Sequence, residues 1–562
     1  MRMTMKTGLL LVCCVFSYQI MAGAEETMRC TDALYSKSIG LYDTLEITLK
    51  HPGKSANPFD FGETQVAASF ISPTGREFHV SGFFDGVTGE HPRQSIWRIR
   101  FMPNQEGVWN FRLTGSHTGL SEQCTFRSTS AHNPLAHGHV RPDPNYRGYL
   151  VHDDGTPHYW YGGKWFGAQN YGPKGKMNSA TGRYEVNWYR HSEKDILNYL
   201  DLLEEYRHNG ILLKIALFPL EEDQLSWDLN WIRRAEWIVR EAGERGIYVQ
   251  ITMFDTWSRP DDGYFEASTS GERQLFNVWE KTHLDKKKNY ILTVIARFAG
   301  FYNVYWELGN EMEHAPNCGK CFVALANQYY IPWIREHDPY RLPIGLSESL
   351  WQDADVDIGF LHQTNELPPF ENGKPVIINE LVRGGLPLTF WEKLLGYEDG
   401  LYADTYIRSA GKRLAYRRTF WNMFVRGGSG SSEATWLDIR KPANAAVHDV
   451  MADHKRLRDF IDSLSVNINS MLTSSSIMKT ETGPVYTRML PGHLYVGYLP
   501  ESPGEAETDS LAVTIDPGVY RYTWYSPANG RYSKVYEINS SGDQVDIPRR
   551  GDGLDSVLVI RR

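Results

Sequence analysis

Apolar and polar residues alternate with a period of two through the first quarter of the chain, and turn residues separate the segments. Alternation of this kind is typical of strands that bury one face. It occurs at residues 45–51, 64–72, 76–86, 95–103 and 107–115. Short strands at this spacing predict an N-terminal β-sandwich over residues 25–140, and the proline-rich stretch at 132–148 predicts a linker after it.

From about residue 149 to residue 462 the pattern changes, and short apolar runs alternate with amphipathic helical patterns. Strands that alternate with helices predict a parallel sheet. The apolar runs lie at residues 155–166, 210–220, 247–257, 304–311, 342–349, 356–364, 374–381 and 429–436. Helical patterns are clearest at residues 229–246, 289–300, 323–337 and 414–428. Eight strand–helix units in a segment of this length predict a closed (β/α)8 barrel over residues 149–462.

After residue 464 the chain returns to short strands. They are predicted at residues 493–501, 509–516, 518–531 and 556–562. These strands predict a second β-sandwich over residues 465–562. The expected fold class is therefore multidomain α/β, with a central TIM barrel flanked by an N-terminal and a C-terminal β-sandwich.

The first 24 residues have the features of a secretory signal peptide. Arg2 and Lys6 supply the positive start, residues 8–16 supply the apolar run, and an A-x-A cleavage site ends at Ala24. A lipoprotein signal would use a cysteine in the apolar run, but no small residue precedes either one in the required pattern. We expect cleavage near Ala24 and a secreted or periplasmic location in a bacterium. No later stretch approaches the roughly 18 apolar residues that cross a bilayer, so we expect a soluble mature protein without a membrane span.

Composition and charge restrict the partners of the chain. The formal net charge is −9, and no basic stripe is present to neutralise phosphates, which argues against nucleic acid. The 17 Trp and 32 Tyr fit ring stacking on a sugar, and they fit several β-rich domains equally well. No metal or organic cofactor is expected, because the sequence has no phosphate loop, no H-E-x-x-H and no calcium-loop pattern. The oligomeric state is left open.

Four cysteines follow the signal segment, and in an oxidising compartment we expect them to be paired. Cys30 and Cys124 bracket the first domain and could close it. Cys318 and Cys321 have the C-x-x-C spacing of a redox motif or half a zinc site. Because this pair lies in a loop and the sequence has no second pair or matching histidines, a local disulfide is the favoured interpretation.

Polar residues gather at the carboxyl ends of the predicted barrel strands, where TIM barrels carry their chemistry. Strand four ends with Asn310 and Glu311, and strand seven ends with Glu380. Further candidates for substrate contacts lie at the ends of strands one, three, six and eight: Lys164, Trp165, Asp255, Trp257, His362, Glu433 and Trp436.

Two carboxylates that flank a bond are what glycoside hydrolysis requires. One protonates the departing oxygen, and the other attacks the sugar carbon or activates water. Different surroundings keep the acid protonated and its partner ionised. Two further glutamates lie near Glu311: we expect Glu307, inside the strand, to pair with a basic neighbour, and Glu313 to be solvated.

These features resemble clan A of the retaining glycoside hydrolases. Asn310-Glu311 after strand four and Glu380 after strand seven carry the resemblance. The segments SGFFDG, IRFMPNQEGVWNFR, DGTPHYWYGG and YTWYSPANG make the chain similar to secreted bacterial polysaccharide-degrading enzymes. Those enzymes include apiosidase-like barrels and related barrels labelled as glycosidases or collagen-binding proteins.

The resemblance implies a role for each matching residue. Glu311 would be the general acid/base, Asn310 would hold the sugar 2-hydroxyl, and Glu380 would be the nucleophile. His362 resembles the His or Tyr that clan members present near the nucleophile from strand six. The chain departs from the clan at Lys214, where members often carry an arginine, because lysine cannot make the same bidentate contact.

The sequence therefore predicts a secreted retaining hydrolase that cleaves a plant, algal or microbial polysaccharide or its oligosaccharides. Two alternatives stay open. An inverting hydrolase would use the same carboxylates at a wider separation. A non-catalytic carbohydrate- or matrix-binding protein would use its terminal sandwiches as the working modules. The sugar, the linkage and the choice between terminal and internal cleavage are also left open.

Overall fold

The computed structural model describes residues 29–51, 57–63, 66–89, 94–115, 122–162, 177–178, 183–184, 192–215, 227–255, 278–313, 318–362, 373–381, 410–432, 445–481, 483–500, 510–549 and 555–562. The predicted signal peptide lies outside these residues. In the part of the chain that is described, no helix is long and apolar enough to cross a membrane.

Two β-sheets pack face to face at the amino end. The first has the strand order Ala33–Leu34, Leu45–His51, Ser95–Phe101 and Phe83–Val87. The second has the order Ser38–Gly40, Cys124–Thr129, Gly107–Gly115, Val66–Ile71 and Glu77–Ser81. Alternate residues of both sheets, among them Phe70, Phe101 and Trp109, are buried in one shared core.

The strand predicted at residues 76–86 is two strands in different sheets. Glu77–Ser81 lies in the second sheet and Phe83–Val87 in the first, and the chain crosses between them at Gly82. A β-carbon at Gly82 would lie 3.0 Å from the carbonyl oxygens of Val66 and Arg98. The crossing therefore needs a residue without a side chain, and period-two alternation alone does not mark it.

Both predicted disulfides are confirmed. Cys30 is bonded to Cys124, which joins the 3-10 turn Cys30–Asp32 to the second sheet. Cys318 is bonded to Cys321 at the start of a helix.

The predicted linker at 132–148 is more structured than expected, because Val140–Pro142 pairs with Leu150–His152 in a small antiparallel sheet that also contains Pro157–His158.

Eight parallel strands close into a barrel, as predicted. They are β1 (Tyr161–Gly162), β2 (Gly210–Lys214), β3 (Tyr248–Asp255), β4 (Val304–Asn310), β5 (Ile344–Ser347), β6 (Ile358–His362), β7 (Val376–Leu381) and β8 (Ser429–Ser432). Each strand pairs with its neighbours along the chain, and β8 pairs with β1.

Helices surround the barrel. They are α1 (Glu193–Glu205), α2 (Leu229–Glu244), α3 (Leu284–Phe298), α4 (Gly319–Leu325), α5 (Ile331–His337), α6 (Ala410–Val425) and α7 (Ala445–Ser463), with a π-helical turn at Ala326–Tyr330 between α4 and α5. Ser192 begins α1 with a capping box that includes Asp195, and the Asp228 side chain caps α2. Apolar faces of the helices pack on the outward side chains of the strands.

Large rings fill the lower part of the barrel interior. Trp160, Tyr305 and Phe360 are fully buried in one cluster there. Glycines face these rings, because a β-carbon at Gly210 would collide with Trp160 and one at Gly345 would collide with Phe360. Pairing of large residues with glycines lets the barrel close around a packed interior.

The chain ends in one antiparallel sheet of nine strands. They are Leu472–Thr480, Gly483–Leu490, Leu494–Leu499, Ser510–Thr514, Gly518–Ser526, Arg531–Tyr532, Tyr536–Ser540, Gln544–Pro548 and Ser556–Arg561. Val513 and Trp524 come from opposite ends of the strand order and share one core, so the sheet folds over on itself. The four strands predicted here are present, and five others were not predicted.

A buried ion network joins the N-terminal sandwich to the barrel. Arg100 of the sandwich contacts Glu236 of α2 at 2.8 Å, and Arg297 of α3 contacts the same carboxylate at 2.6 Å. All three side chains are at most 5% exposed. Burial alone would raise the pKa of Glu236, but the charges of Arg100 and Arg297 overcome it and lower the pKa to about 2.

Several buried histidines make the fold sensitive to acid. Five of them in the described residues are at most 6% exposed: His139, His152, His158, His208 and His454. Burial lowers the pKa of each below the ordinary 6.5, to about 3 for His139 and His152 and about 4 for His208. These side chains are therefore neutral in the folded protein at neutral pH.

We expect stability to fall as the pH drops from about 7 toward 5. A histidine with a lowered folded pKa binds protons first in the unfolded chain, so its contribution is complete above the unfolded pKa and is lost below it. Each histidine can cost up to about 1.4 kcal/mol per pH unit in that window. Urea unfolding between pH 7.5 and 5 measures the slope. The exposed variant His79→Gln should keep the parental slope and His208→Gln should reduce it; equal stability at all pH values would contradict this prediction.

Candidate active site

The carboxyl end of β4 presents two polar residues to the mouth of the barrel. Asn310 is fully buried and Glu311 is 8% exposed. Glu311 has a φ of 53°, which is rare for a residue with a side chain. Such strain costs about 1–3 kcal/mol and persists where the surroundings fix it. The backbone at Glu311 is therefore held in an unfavourable conformation at the point where the sequence places an acid.

Ser347, the last residue of β5, provides part of that constraint. Its hydroxyl oxygen accepts a hydrogen bond of 2.6 Å from the backbone N–H of Glu311. The same hydroxyl donates to the carbonyl oxygen of Gly309 at 3.2 Å. One side chain thus satisfies backbone groups on both sides of Asn310 and ties the end of β4 to the end of β5.

A second acidic residue follows directly after β5. Glu348 has a φ of 56°, so it shares the strained conformation of Glu311. Its neighbour Ser349 donates a hydrogen bond of 2.6 Å to the Glu313 carboxylate. Ser347 and Ser349 therefore hold the turn on either side of Glu348. Glu313, expected in solvent, is instead partly buried and bonded to this turn.

His362 lies between the two strained glutamates at the end of β6. Its Nδ1 atom is 2.9 Å from Oε1 of Glu311 and 3.9 Å from Oε1 of Glu348. Its side chain is only 1% exposed. In the parallel pairing of β6 with β7, His362 is the register partner of Glu380. The backbone thus brings Glu380 to the level of the histidine that contacts Glu311.

A polar layer lies below these residues inside the barrel. Alternate residues of β4 point to opposite sides, with Tyr305 among the interior rings and Trp306 among the outer helices. By this alternation Glu307 points inward, and it accepts a hydrogen bond from the Thr252 hydroxyl. Burial raises the pKa of Glu307 to about 7, although the Thr252 hydrogen bond and the nearby His362 and Lys214 oppose this rise. Lys214 thus influences Glu307 electrostatically from β2.

The structure gives different amounts of information about the predicted site residues. Asn310, Glu311 and His362 come together at the mouth of the barrel, as described above. Asp255 ends β3 as the register partner of Asn310, so its backbone belongs to the same rim. The side chains of Asp255 and Glu380 lie outside the described part. So do five complete residues: Lys164, Trp165, Trp257, Glu433 and Trp436.

Two residues of the site were not predicted from the sequence. Ser347 and Glu348 belong to a segment that was assigned only as strand five. The rule that barrel chemistry lies at the carboxyl ends of strands would have marked the Ser-Glu-Ser triplet, since it ends a barrel strand with three polar residues.

Glu311, Glu348 and His362 also form a candidate cation site. One ligand atom from each residue lies within 4.8 Å of the others. Two carboxylates and an imidazole are ligands that zinc and similar ions accept. An ion at that position would occupy the Glu311 carboxylate and prevent it from transferring a proton. Without an ion, the same carboxylate can exchange a proton beside His362 and Glu348, so the arrangement fits either role.

Two family models match parts of the chain. Residues 172–360 match the cellulase model, glycosyl hydrolase family 5, which covers β2 to β5 and most of β6. Residues 38–116 match DUF5060, a domain of unknown function, which covers most of the N-terminal sandwich. No curated protein matches the chain at a significant level.

Three solved structures share the fold. A candidate glycoside hydrolase from Bacteroides vulgatus has a TM-score of 0.62 at 17% identity, over 94% of this chain and 100% of that one. A family 5 glycoside hydrolase from the same organism has a TM-score of 0.54 at 14% identity, over 76% and 95%. A third structure, named glycoside hydrolase, has a TM-score of 0.53 at 13% identity, over 76% and 98%.

We expect Glu307→Gln to be more stable than the parent at pH 8 and equally stable at pH 5. A carboxyl with a raised folded pKa favours folding at low pH, and that contribution is lost as the pH rises from about 4.5 toward 7. Glutamine keeps the neutral form at every pH, and a tenfold change in the acid dissociation constant corresponds to about 1.4 kcal/mol. Urea unfolding at both pH values measures the difference, with exposed Glu336→Gln as the control. Lower stability of Glu307→Gln at pH 8 would refute the prediction.

Proposed function

We propose that this chain is a secreted retaining glycoside hydrolase of clan A, because residues 172–360 match the model of glycosyl hydrolase family 5. Its substrate class would be a plant, algal or microbial polysaccharide or the oligosaccharides derived from it. The observation that carries the proposal is the contact between Glu311 and His362, because His362 is also the register partner of Glu380. His362 thus contacts Glu311 through its imidazole and pairs with Glu380 through its backbone, between the two strand ends that would supply the reacting carboxylates.

The proposed reaction has two displacements. In the first, a carboxylate oxygen of Glu380 forms a bond to the anomeric carbon while the bond to the departing oxygen breaks. The Glu311 carboxyl gives its proton to that oxygen, so the first product leaves as a neutral alcohol. In the second, Glu311 takes a proton from water, the water oxygen bonds to the anomeric carbon, and the ester to Glu380 breaks.

The surroundings of Glu311 support this alternation between acid and base. Its carboxyl is 10% exposed and has His362 within hydrogen-bond distance, so it can change charge without rearrangement of bulk water. Ser347 holds its backbone, which supports a fixed proton-transfer geometry. Asn310, buried beside it, would donate to the 2-hydroxyl of the sugar.

Secretion is supported by the signal-like residues 2–24 and by two disulfides. Disulfides persist in oxidising compartments and are rare in the cytosol. Both the proposed location and the proposed substrate place the enzyme outside the cytosol, where polysaccharides are encountered.

We infer that Glu348 is a positioning residue whose negative charge acts on the Glu311 carboxyl. Its carboxylate is 19% exposed, and one of its oxygens lies within 4.8 Å of an oxygen of Glu311. A negative charge at this distance favours the protonated form of a neighbouring carboxyl. Glu348 would therefore help to keep Glu311 protonated for the first displacement.

The proposal predicts that Glu311→Ala and Glu380→Ala abolish hydrolysis of the glycan that the parent cuts. Loss of a general acid costs about 10²–10⁴-fold in rate, and loss of the nucleophile should cost more because no glycosyl ester can form. A screen over plant, algal and bacterial polysaccharides and aryl glycosides identifies the substrate, and circular dichroism verifies folding. Glu336→Ala, at an exposed position on α5, should remain active.

The alternatives give different results in the same experiment. NMR of the first-formed product reports its anomeric configuration, and inversion would exclude the double displacement. Azide should restore turnover of Glu311→Ala on aryl glycosides, because the second step then needs no base. Parental activity in Glu380→Ala would show that the nucleophile is misassigned. Glycan binding without cleavage by the parent would favour the non-catalytic alternative.

For Glu348→Gln, we expect the alkaline limb of the kcat/KM profile to move to lower pH. Removal of the neighbouring charge stabilises ionised Glu311, so the acid form is lost earlier as the pH rises. Glu348→Asp should restore the parental profile in part. Asp353→Asn makes the same charge change on an exposed residue of the following turn and should leave the profile unchanged. A parental profile in Glu348→Gln would remove Glu348 from this role.

A further inference from the structure

Two adjoining depressions lie along the strand Gly518–Ser526 of the C-terminal sheet. Their volumes are about 480 and 540 Å³, and Tyr522 and Tyr532 line both of them. Volumes of this size fall in the range of small-ligand sites, about 300–1,000 Å³. The two depressions therefore meet at these two tyrosines, and each has room for a small group.

Exposed rings and an exposed apolar residue border the depressions. Tyr532 is 47% exposed, Tyr536 is 46% exposed and Val535 between them is 63% exposed. The Tyr536 ring stacks on Tyr522 with centroids 5.1 Å apart and an interplanar angle of 21°. Neighbouring strands thus hold the rings in place while about half of each side chain stays exposed to a ligand.

The lining of both depressions is basic. It contains five arginines, Arg521, Arg531, Arg549, Arg561 and Arg562, and none of the described residues that line the depressions is acidic. The whole chain has a net charge of −9, so this concentration of positive charge is a local feature. Glu537 lies 3.8 Å from Arg521, but both side chains are 73% exposed and the pair is weak. We call the five arginines with Tyr532 and Tyr536 the arginine–tyrosine surface.

The arginine–tyrosine surface lies at the opposite end of the barrel from Glu311. Arg207, just before β2, contacts Asp459 and Asp462 of α7 at 2.6 Å, so α7 ends beside the amino ends of the strands. Ser463, the last residue of α7, is 2.9 Å from the Tyr532 hydroxyl. The surface is therefore anchored to the barrel but remote from the carboxyl ends of the strands.

We propose that the arginine–tyrosine surface binds an anionic polysaccharide, one that carries uronate carboxylates or sulfate esters. The guanidinium group of arginine presents paired N–H donors that match the paired oxygens of carboxylates and sulfate esters. Tyrosine rings pack against the apolar faces of sugar rings. Because the surface is remote from Glu311, it holds the polymer without taking part in bond cleavage. This inference goes beyond the proposed hydrolase activity and does not require that the bound polymer is the one that is cut.

Binding is tested on the mature chain carrying Glu380→Ala, so that hydrolysis cannot remove the polymer. The probes are polygalacturonate, a sulfated galactan, a neutral galactan and single-stranded DNA, in affinity electrophoresis and calorimetry at two salt concentrations. The double variant Arg531→Gln/Arg562→Gln should weaken anionic binding about tenfold or more, as should Tyr536→Ala. The double variant Arg112→Gln/Arg127→Gln makes the same charge change on exposed arginines of the N-terminal sandwich and should bind like the parent.

Each outcome separates this inference from the proposed function. Binding to polygalacturonate alone identifies uronates, and binding to the sulfated galactan alone identifies sulfate esters. In the background that retains Glu380, activity on an aryl glycoside should be parental in all three variants. Failure to bind either anionic polymer, equal binding of DNA, or equal weakening by Arg112→Gln/Arg127→Gln would overturn the proposal. Because the parent and the arginine and tyrosine variants share the Glu380→Ala background, the comparison of their binding stands whether or not Glu380 is catalytic.

Discussion

The packing of large rings against glycines inside the barrel is the constraint on which the site depends. Trp160 fills the space that Gly210 leaves, and Phe360 fills the space that Gly345 leaves. This filling sets the separation of the strands, and the separation sets where their carboxyl ends emerge. On β5, Gly345 leaves room for the Phe360 ring, and two residues beyond Phe360 on β6, His362 contacts Glu311 of β4.

Above the rings, the side chains in the barrel interior change from apolar to ionisable, first at the level of Glu307 and then at the level of Glu311. Glu307 lies in a closed interior where burial raises its pKa, while Glu311 lies at the mouth with His362. Ser347 and Ser349 then hold the backbone around Glu311 and Glu348, both of which have left-handed conformations. The positions of these two glutamates are therefore fixed before a ligand binds. Preorganisation of this kind removes the reorganisation that water would otherwise require during charge transfer.

The sequence could predict the strands and helices, which depend on periodicity. It could not predict where the chain crosses from one sheet to another. Eight apolar runs identified the barrel, and strand ends identified Glu311 and His362 as neighbours of one mouth. The change of sheet at Gly82 was missed because the residues on both sides of it alternate and only the phase differs, with Phe78 and Val80 buried before the glycine and Phe83 and Asp85 after it. Glu348 was missed because its importance comes from a backbone conformation and from a contact with His362, and neither leaves a pattern in one dimension.

The ion network between the sandwich and the barrel has an evolutionary consequence. Glu236 and Arg297 belong to the barrel helices, and the sandwich contributes Arg100 to the Glu236 carboxylate and Asp85 to Arg297, with these side chains at most 5% exposed. A barrel inherited without its sandwich would expose Arg297 and lose a partner of Glu236. Loss of either module would therefore destabilise the other. The two modules should therefore have been duplicated and transferred as a pair, unlike appended domains that join their enzymes through a flexible tether.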